Sequence, residues 1–402
     1  MLRIATSQLY QQGAKAMNGG QMALAKVQQQ MATGQRILAN SDDPVGSARL
    51  LSLKDELGRY DQYQRNIDVA SGRMSLEEST LGDAGELLQR TRELTIQANN
   101  APLNANDRRA IAQKIRQIHS QMFSLANTKD GDGEYLFSGF QSRSQPFVLD
   151  ANNQAIYQGD QGQRLVKAGP TLDVPASDSG DEVFRGALNG NGSFRVAATA
   201  TNTGNGSVAV GSVTDPAAFV GHSYSIAFTS ATTFDVTDTT TGTAVLSNQN
   251  YKDEGSIQFA GLQTAVSGNP AAGDTFTIQP ATRQDFFKTL DDLATALETS
   301  GNTPARGAQL NQALANGLAA LDQGLEHLTG VRAKVGSRLK ALEEQTTVNG
   351  DFTTHLQQTI NDVGGLDYAE AATRLSKETF TLQVAQQSFV RIQNLSLFNY
   401  MR

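Results

Sequence analysis

An apolar residue returns every seventh position at the start of the chain: Tyr10, Met17, Leu24, Met31 and Leu38. A strict seven-residue repeat holds one narrow seam on one side of a helix, and such a seam needs a partner helix. The half-repeat positions, Thr6, Gly13, Gly20, Val27 and Gly34, are mostly small, so a partner backbone can approach closely. Each glycine inside a helix costs roughly 1 kcal/mol relative to alanine, so Gly13, Gly19 and Gly20 together cost about 3 kcal/mol. The pattern therefore predicts a weak helix that something outside it must stabilise. Asp43-Pro44 then supplies a cap residue followed by proline at a first helical position, and the weak helix hands over through a polar turn to a second one.

That second helix runs from Pro44 to about Asn99. Leu53, Tyr60, Ile67, Met74, Leu81 and Leu88 recur every seven residues, with Leu57, Leu87 and Leu94 widening the stripe. Asn99-Asn100-Ala101-Pro102 breaks it. Asn106 or Asp107 caps a third helix carrying Ile111, Ile115, Ile118, Met122 and Leu125, which Lys129–Gly133 ends. Helix returns at about Arg283, where Phe286, Phe287, Leu290, Leu293 and Leu297 form a short amphipathic stretch ending at Ser300-Gly301. Thr303-Pro304 starts the second long helix, whose Leu314, Leu321, Leu328, Val335 and Leu342 match the repeat of the first. Asn349-Gly350 reads as a soft spot and Asp362–Gly365 as a break. Asp367-Tyr368-Ala369-Glu370 looks like a capping box. The last helix carries Tyr368, Ala371, Leu375, Leu382, Ala385, Phe389 and Ile392 at seam positions, then Leu395, Leu397, Phe398 and Tyr400.

Between the helices the period falls to two. Glu134–Phe140, Phe147–Leu149, Ala155–Tyr157 and Arg164–Lys167 read as short strands, with a hairpin loop at Asp150–Gln154. From about Gly186 to Pro280 the composition shifts to Thr, Ser, Gly, Asn and Ala. Phe194–Ala197, Val208–Val213, Tyr224–Phe228, Phe234–Thr237, Ile257–Leu262 and Thr275–Ile278 are the strand candidates there. Asn-Gly pairs at 189–190, 191–192 and 205–206 suit tight turns with positive φ.

The order is nested: weak helix, long helix, β block, long helix, weak helix. It predicts an α+β multi-domain rod, with long antiparallel, coiled-coil-like helices from both chain ends and an inserted all-β domain. The expected divisions are a terminal helical domain (1–43 with 363–402), a long-helix bundle with short hairpins (44–185 with 281–362), and a β-sandwich or barrel-like domain (186–280). The two terminal helices leave Met17, Leu24, Met31, Leu382, Phe389, Ile392 and Phe398 exposed unless other subunits cover them. At about 25 cal/mol per Å² of apolar area, a few such side chains supply several kcal/mol on association. The pattern thus predicts a self-associating subunit whose ends fold as it assembles.

Composition agrees with long, thin elements. Of 402 residues 39% are hydrophobic, with 17 Phe, 9 Tyr and no Trp, which is lean for one large core. The net charge of -7 offers no basic footprint for nucleic acid or anionic lipid. The chain has no cysteine, which excludes disulfides, thiolate metal sites and a cysteine nucleophile, and leaves the redox compartment open. No apolar run suits a signal peptide or a membrane span, so the expectation is a cytosolic protein, or one exported without a cleaved signal.

The nested pattern, with Thr33-Gly34-Gln35-Arg36-Ile37, Ser41-Asp42-Asp43-Pro44 and Ala48, resembles the N-terminal core of the bacterial flagellin family. Three stretches look more like its hook–filament junction members than its filament-forming ones: Arg3–Tyr10, Tyr135–Phe147, and Asp367–Ala371 with Ala385–Tyr400. The likeness covers about residues 1–185 and 270–402; the block between varies freely in this family. It implies a structural role, with the terminal helices forming an inner tube, the long helices its outer wall, and the β domain the outer surface. It further implies a ring of subunits between hook-associated protein 1 and the first flagellin subunits, and unfolded export through the flagellar type III apparatus. An export chaperone would grip the C-terminal helix, with Leu382, Phe389, Ile392 and Phe398 as its candidate contacts. On this reading the assembly seam is Tyr10, Met17, Leu24, Met31, Leu38, Leu375, Leu382, Phe389, Ile392 and Phe398. The family-motif residues are Thr33, Gly34, Arg36, Ile37, Asp42, Asp43 and Pro44. A filament flagellin, or an adhesin whose β domain sits on a coiled-coil stalk, are the competing readings.

Catalytic chemistry has little footing. His119, His222, His327 and His355 stand apart, with no second ligand at metal-binding spacing. Asp130-Gly131-Asp132-Gly133-Glu134 begins like a calcium loop, but Tyr135 replaces the glycine and Gln141 the glutamate that such a loop needs. Asp42-Asp43 precedes a proline-started helix, so capping is expected of it rather than acid–base work. Neither a nucleophile elbow nor a phosphate-binding loop occurs. Asn191 and Asn205 fit a glycosylation pattern but read as turns; Asn394 fits it as well. No catalytic residue, cofactor or metal ligand is expected.

Overall fold

A computed structural model describes residues 6–100, 103–151, 154–299, 301 and 303–398, with residues 6, 7, 9, 100 and 392–398 described in backbone alone. The helices are α1 (Thr6–Thr33), α2 (Pro44–Asn100), α3 (Ala105–Ala126), α4 (Gly180–Arg185), α5 (Phe286–Thr299), α6 (Pro304–Gly364) and α7 (Tyr368–Phe398). The chain divides into two compact units. One holds the described residues up to Arg65 and from Gln345 onward; the other is Asn66–Glu344. Long helices thus come from both ends of the chain, with an all-antiparallel β domain inserted between them.

In the second unit α2 and α6 run antiparallel. Ile67, Met74, Leu81 and Leu88 of α2, and Leu314, Leu321, Leu328, Val335 and Leu342 of α6, are all buried in one core. The seven-residue repeats therefore mark the buried seam. Gly324 lies against Leu88 and Phe286. Arg332 pairs with Glu78 at 2.6 Å and Arg92 with Asp322 at 2.6 Å. α3 packs on α5 through Ile111, Ile115, Ile118, Met122, Phe287, Leu290 and Leu297, tied by Arg116 to Asp291 and Glu298. Asn104 caps α3, accepting from the Asn106 and Asp107 amides while the Asp107 side chain accepts from the Asn104 amide. The expected cap at Asn106 or Asp107 is therefore corrected by two or three residues. An aromatic knot closes this core: Phe184 of α4 meets Phe137 and Phe147 edge-on, and Phe286 and Phe287 from α5.

The segment 134–140 is not a strand. Gly139 takes φ 71°, and the amides of Phe140 and Gln141 bond to the Asp160 carboxylate. The Leu136 amide reaches Thr128 O. Leu136, Phe137 and Ser138 are buried, so the donors are met without a ladder. Beyond it, β1 (Phe147–Leu149) pairs with β2 (Ala155–Tyr157) as expected. β3 (Leu165–Lys167) pairs with β4 (Asp173–Pro175); β4 and α4 carry no clear periodicity and were not foreseen. The Asp130 turn is closed by its own carboxylate, which accepts from the Asp132 and Glu134 amides and from Arg73.

A polar wedge lies inside this apolar unit. Ser177, Asp178 and Ser179 are buried. Arg338 of α6 grips both Asp178 oxygens at 2.9 Å, and Gln163 adds a third bond. Glu77 of α2 is 1% exposed; its Oε1 and the Arg73 Nε have no hydrogen-bond partner among the described protein atoms. Burial, reinforced by Asp178, pushes the Glu77 carboxyl from 4.5 up to about 8.

The inserted β domain is a sandwich. Its strands are β5 (Phe194–Ala198), β6 (Ser207–Val208), β7 (Ser212–Val213), β8 (Tyr224–Phe228), β9 (Thr233–Asp238), β10 (Thr243–Asn250), β11 (Ser256–Phe259), β12 (Leu262–Ser267) and β13 (Thr275–Pro280). One sheet has the order β10-β9-β8-β13-β5; the other is β11-β12-β6, with β7 also on β12. Alternate residues Tyr224, Ile226, Phe228, Phe276 and Ile278 from the first and Val208, Leu262 and Val266 from the second share one core. Two expected strands are split. Val208–Val213 breaks at Gly211, φ 70°, and Ile257–Leu262 turns at Ala260-Gly261, φ 46° and 75°, the paired positive values of a tight hairpin turn. β10 was missed because its residues are exposed or half-buried throughout and so carry no clear alternation. Of the three Asn-Gly pairs, Gly190 and Gly192 have positive φ.

Candidate assembly interface

In the first unit α1 and α7 pack antiparallel. The Phe389 ring meets Tyr10 edge-on at 6.0 Å. It also lies over Gly13, where a methyl would come within 2.8 Å of the ring. Leu382 lies on Gly20 in the same way, at 3.4 Å. Gly13 and Gly20 thus open the seam for large side chains of the opposite helix, while Gly19 faces open space. Met17, Leu24, Met31, Leu375, Leu382 and Phe389 are half-buried along this seam. The side chains of Ile392 and Phe398 lie outside the described residues, as do Tyr400 and Asn394's side chain.

Gly34 is not a seam position inside the helix. Its amide donates to Gln30 O at 2.8 Å, and its φ of 68° turns the chain left-handed and ends α1, as glycine does past a helix C-terminus. Leu38 therefore lies beyond α1, in the joint, and not on the helical seam. The joint is a small two-chain ladder. The Arg36 amide donates to Gly364 O at 2.8 Å, the Leu366 amide to Gly34 O at 3.0 Å, and Gln35 bridges Gly365. The Arg36 guanidinium reaches Val363 O at 2.8 Å and Asp43 at 3.2 Å. Thr33 caps its own helix through Gln29 O, and Ile37 is buried against Gly46.

The two aspartates divide their work. Asp43 accepts from the Gly46 amide at 2.8 Å and so caps α2, with Pro44 as its first residue. Asp42 accepts from the Leu38 and Ala39 amides and pairs with Lys26 at 2.6 Å, tying the turn back to α1. Lys26 holds the Asp42 carboxyl below the usual range; the Gly46 amide, then Arg36, does the same for Asp43. Both carboxylates are therefore engaged as structural acceptors. Residues missed from sequence complete the joint: buried Gln30 donates to Arg36 O at 2.6 Å, and Gly364 lies against Leu50. A polar residue within the α1 repeat and a Gly-Gly pair at the far break were the available signals. At α7, Asp367 accepts from the Ala369 and Glu370 amides, but Glu370 turns to Arg374, so the expected box is half formed. Asn349 is buried and bonded to Gln345, so α6 passes the expected soft spot unbroken.

Replacing Arg36 with alanine removes the bond to Val363 O and the ion pair with Asp43, the latter half-exposed and weak. The expected loss is about 1–2 kcal/mol, read as faster hydrogen exchange at the Arg36, Leu366 and Gly46 amides. Unchanged exchange there would show that the guanidinium does not hold the joint.

His119 packs edge-on against Phe287, His222 bonds Asp238 at 2.7 Å, His327 bonds Glu182 O at 2.7 Å, and His355 is exposed. Asn191 closes its own turn through the Ser193 and Phe194 amides, and Asn205 accepts from the Asn269 amide. Among the described residues no group of His, Asp and Glu is placed to hold a metal ion, and no helix is long and apolar enough to cross a membrane.

Residues 4–142 match the bacterial flagellin N-terminal helical region and 318–401 the bacterial flagellin C-terminal helical region. Residues 197–280 match the D2-like domain of flagellar hook-associated protein 1. Flagellar hook-associated protein 3 of Escherichia coli K12 is 23% identical over 398 residues, 99% of each chain. FlgL of Xanthomonas campestris superposes with a TM-score of 0.70 and 34% identity, covering 76% of this chain and 99% of that one. The flagellar junction protein FlgL of Legionella pneumophila gives 0.71 and 33%, covering 79% and 100%. The chain belongs to the family of flagellar hook-associated protein 3 (FlgL), structural proteins of the bacterial flagellum.

Proposed function

We infer that this chain is a structural, non-enzymatic subunit of the hook–filament junction that assembles through its N- and C-terminal helices. The observation that carries the reading is the unfinished state of the α1–α7 pair. Its seam side chains are half-buried, while Met22, Phe380, Val384 and Val390 stand on its outer faces, Phe380 at 67% exposure. Large apolar groups along one helix pair mark a surface that neighbours cover. The neighbours are further copies of the chain in a ring, with hook-associated protein 1 on the proximal side and flagellin on the distal side. On this reading residues 1–43 with 363–402 form the inner tube, 44–185 with 281–362 the wall, and 186–280 the outer surface. Export proceeds without a cleaved signal peptide, with a chaperone holding Leu382, Phe389, Ile392 and Phe398 before α7 meets α1.

A strain lacking the protein should keep its hooks and shed flagellin into the medium. The intact chain should restore filaments, and Phe380→Asp should be exported and folded but fail to restore them. Filaments retained on the deletion strain would sink the junction reading; full rescue by Phe380→Asp would remove this face from the assembly.

A further inference from the structure

Among the described residues, the β domain and the helices beneath it share no hydrophobic core. The buried apolar residues of the sandwich form one cluster and those of the helices another. Such a pair of modules is expected to move relative to one another, unless something other than apolar area holds them. In this unit the holding groups are neutral amides on one face of α6. Gln312, 4% exposed, accepts from the Val208 amide at 2.7 Å and donates to the Asn316 side chain at 3.1 Å. Asn316 donates to Val196 O at 2.7 Å. Gln309, one turn earlier, donates to Ala200 O at 3.2 Å, and Gln323 lies against Gly192. Their spacing, three, four and seven residues, keeps all four on one helical face.

The backbone groups they meet belong to the margins of both sheets. β5 is an end strand of the larger sheet and β6 of the smaller. Val196 O and the Val208 amide are ladder groups with no strand beyond them, and α6 supplies side-chain amides where a further strand would have bonded. A second attachment lies at the neck. The Asn189 and Thr282 backbones bond at 3.0 Å, and the Asn189 side chain exchanges two more bonds with Thr282, both 3.0 Å. Leu188 bridges Arg283. The two connecting segments are thus zipped together.

We propose that Gln309, Gln312 and Asn316 are a latch that fixes the β domain at one orientation on α6, making it a rigid outrigger and not a tethered module. The latch consists of hydrogen bonds to main chain, so it acts on any sequence the β domain carries at those positions. The bonds are also vulnerable: a buried backbone amide left without its acceptor carries the full desolvation penalty, so the unlatched domain would turn until water reached the Val208 amide.

The chain's lack of cysteine makes the test clean. Spin labels at Ser247→Cys in β10 and Ala333→Cys in α6 report the distance between the two parts by pulsed dipolar spectroscopy. The full chain should give one narrow distance peak. Gln312→Ala with Asn316→Ala should lose that peak for a broad distribution, with fast exchange at the Val208 amide and an unchanged sandwich signal in circular dichroism. A broad distribution in the unsubstituted chain overturns the proposal, whether or not the double variant folds. A double variant that keeps the narrow peak overturns it too.

Discussion

Replacing Glu77 with glutamine should make the protein more stable above neutral pH and leave it little changed in mild acid. Glu77 is enclosed between α2, α6 and the Ser177–Ser179 wedge. The nearby cations are committed elsewhere: Arg338 to Asp178, and Arg73 to Asp130 and Glu134. Both guanidiniums still attract Glu77, but burial beside Asp178 outweighs them, so the folded chain holds the Glu77 carboxyl protonated, its pKa raised from 4.5 to about 8. Between those values the folded state binds a proton that the unfolded state releases. The stability tied to that proton is complete below the unfolded value, falls as pH rises, and is gone above about 8. At 1.4 kcal/mol per unit the gap sets a ceiling of roughly 5 kcal/mol. Urea unfolding of both proteins at stepped pH gives the difference curve. It should climb in favour of Glu77→Gln between pH 5 and 8, reaching a few kcal/mol. Parallel curves would mean that Glu77 is ionised in the fold and that the wedge finds its charge balance elsewhere.

Phe184→Ala should be the most damaging single truncation in the second unit. Phe184 is fully buried and lies within 6.2 Å, ring to ring, of Phe137, Phe147, Phe286 and Phe287. These rings come from the turn knot, the first hairpin and α5, so one side chain joins three stretches of the chain. Truncating such a ring costs about 3–5 kcal/mol, the lost transfer energy plus the cavity. Phe184→Leu should cost markedly less. The readout is the melting of α2, α3 and α5 by circular dichroism and hydrogen exchange. A loss below about 1 kcal/mol would show that the loop collapses into the space and that α4 is a cover, not a keystone.

What was legible from sequence follows from which elements have a single buried face. The repeats of α2 and α6 were plain because one residue in seven meets the opposite helix, from Tyr60 to Leu88 and from Leu314 to Leu342. Strands β8 and β13 were plain because they alternate between core and surface. α4 and the 136–139 part of the knot were hidden because neighbours on several sides bury them, which erases any period, and β4 because three residues are too few to show one. β10 was hidden for the opposite reason. In the joint, Asp43-Pro44 and the α1 glycines were readable as local chemistry. The carbonyls of Val363 and Gly364 were not, since nothing in a sequence shows that residues 327 positions apart will share a hydrogen bond.

That separation sets an order of events. The bonds that Gly34 and Arg36 make to Val363, Gly364 and Leu366 link the first tenth of the chain to the last, so they form only once both ends are present. Closing so long a loop directly would cost about 5 kcal/mol in chain entropy. Folding of α2 against α6 removes most of that distance beforehand, and the ladder from Gly34 to Leu366 then closes over a short path. On that route the terminal helices would meet last, after α2 has packed against α6.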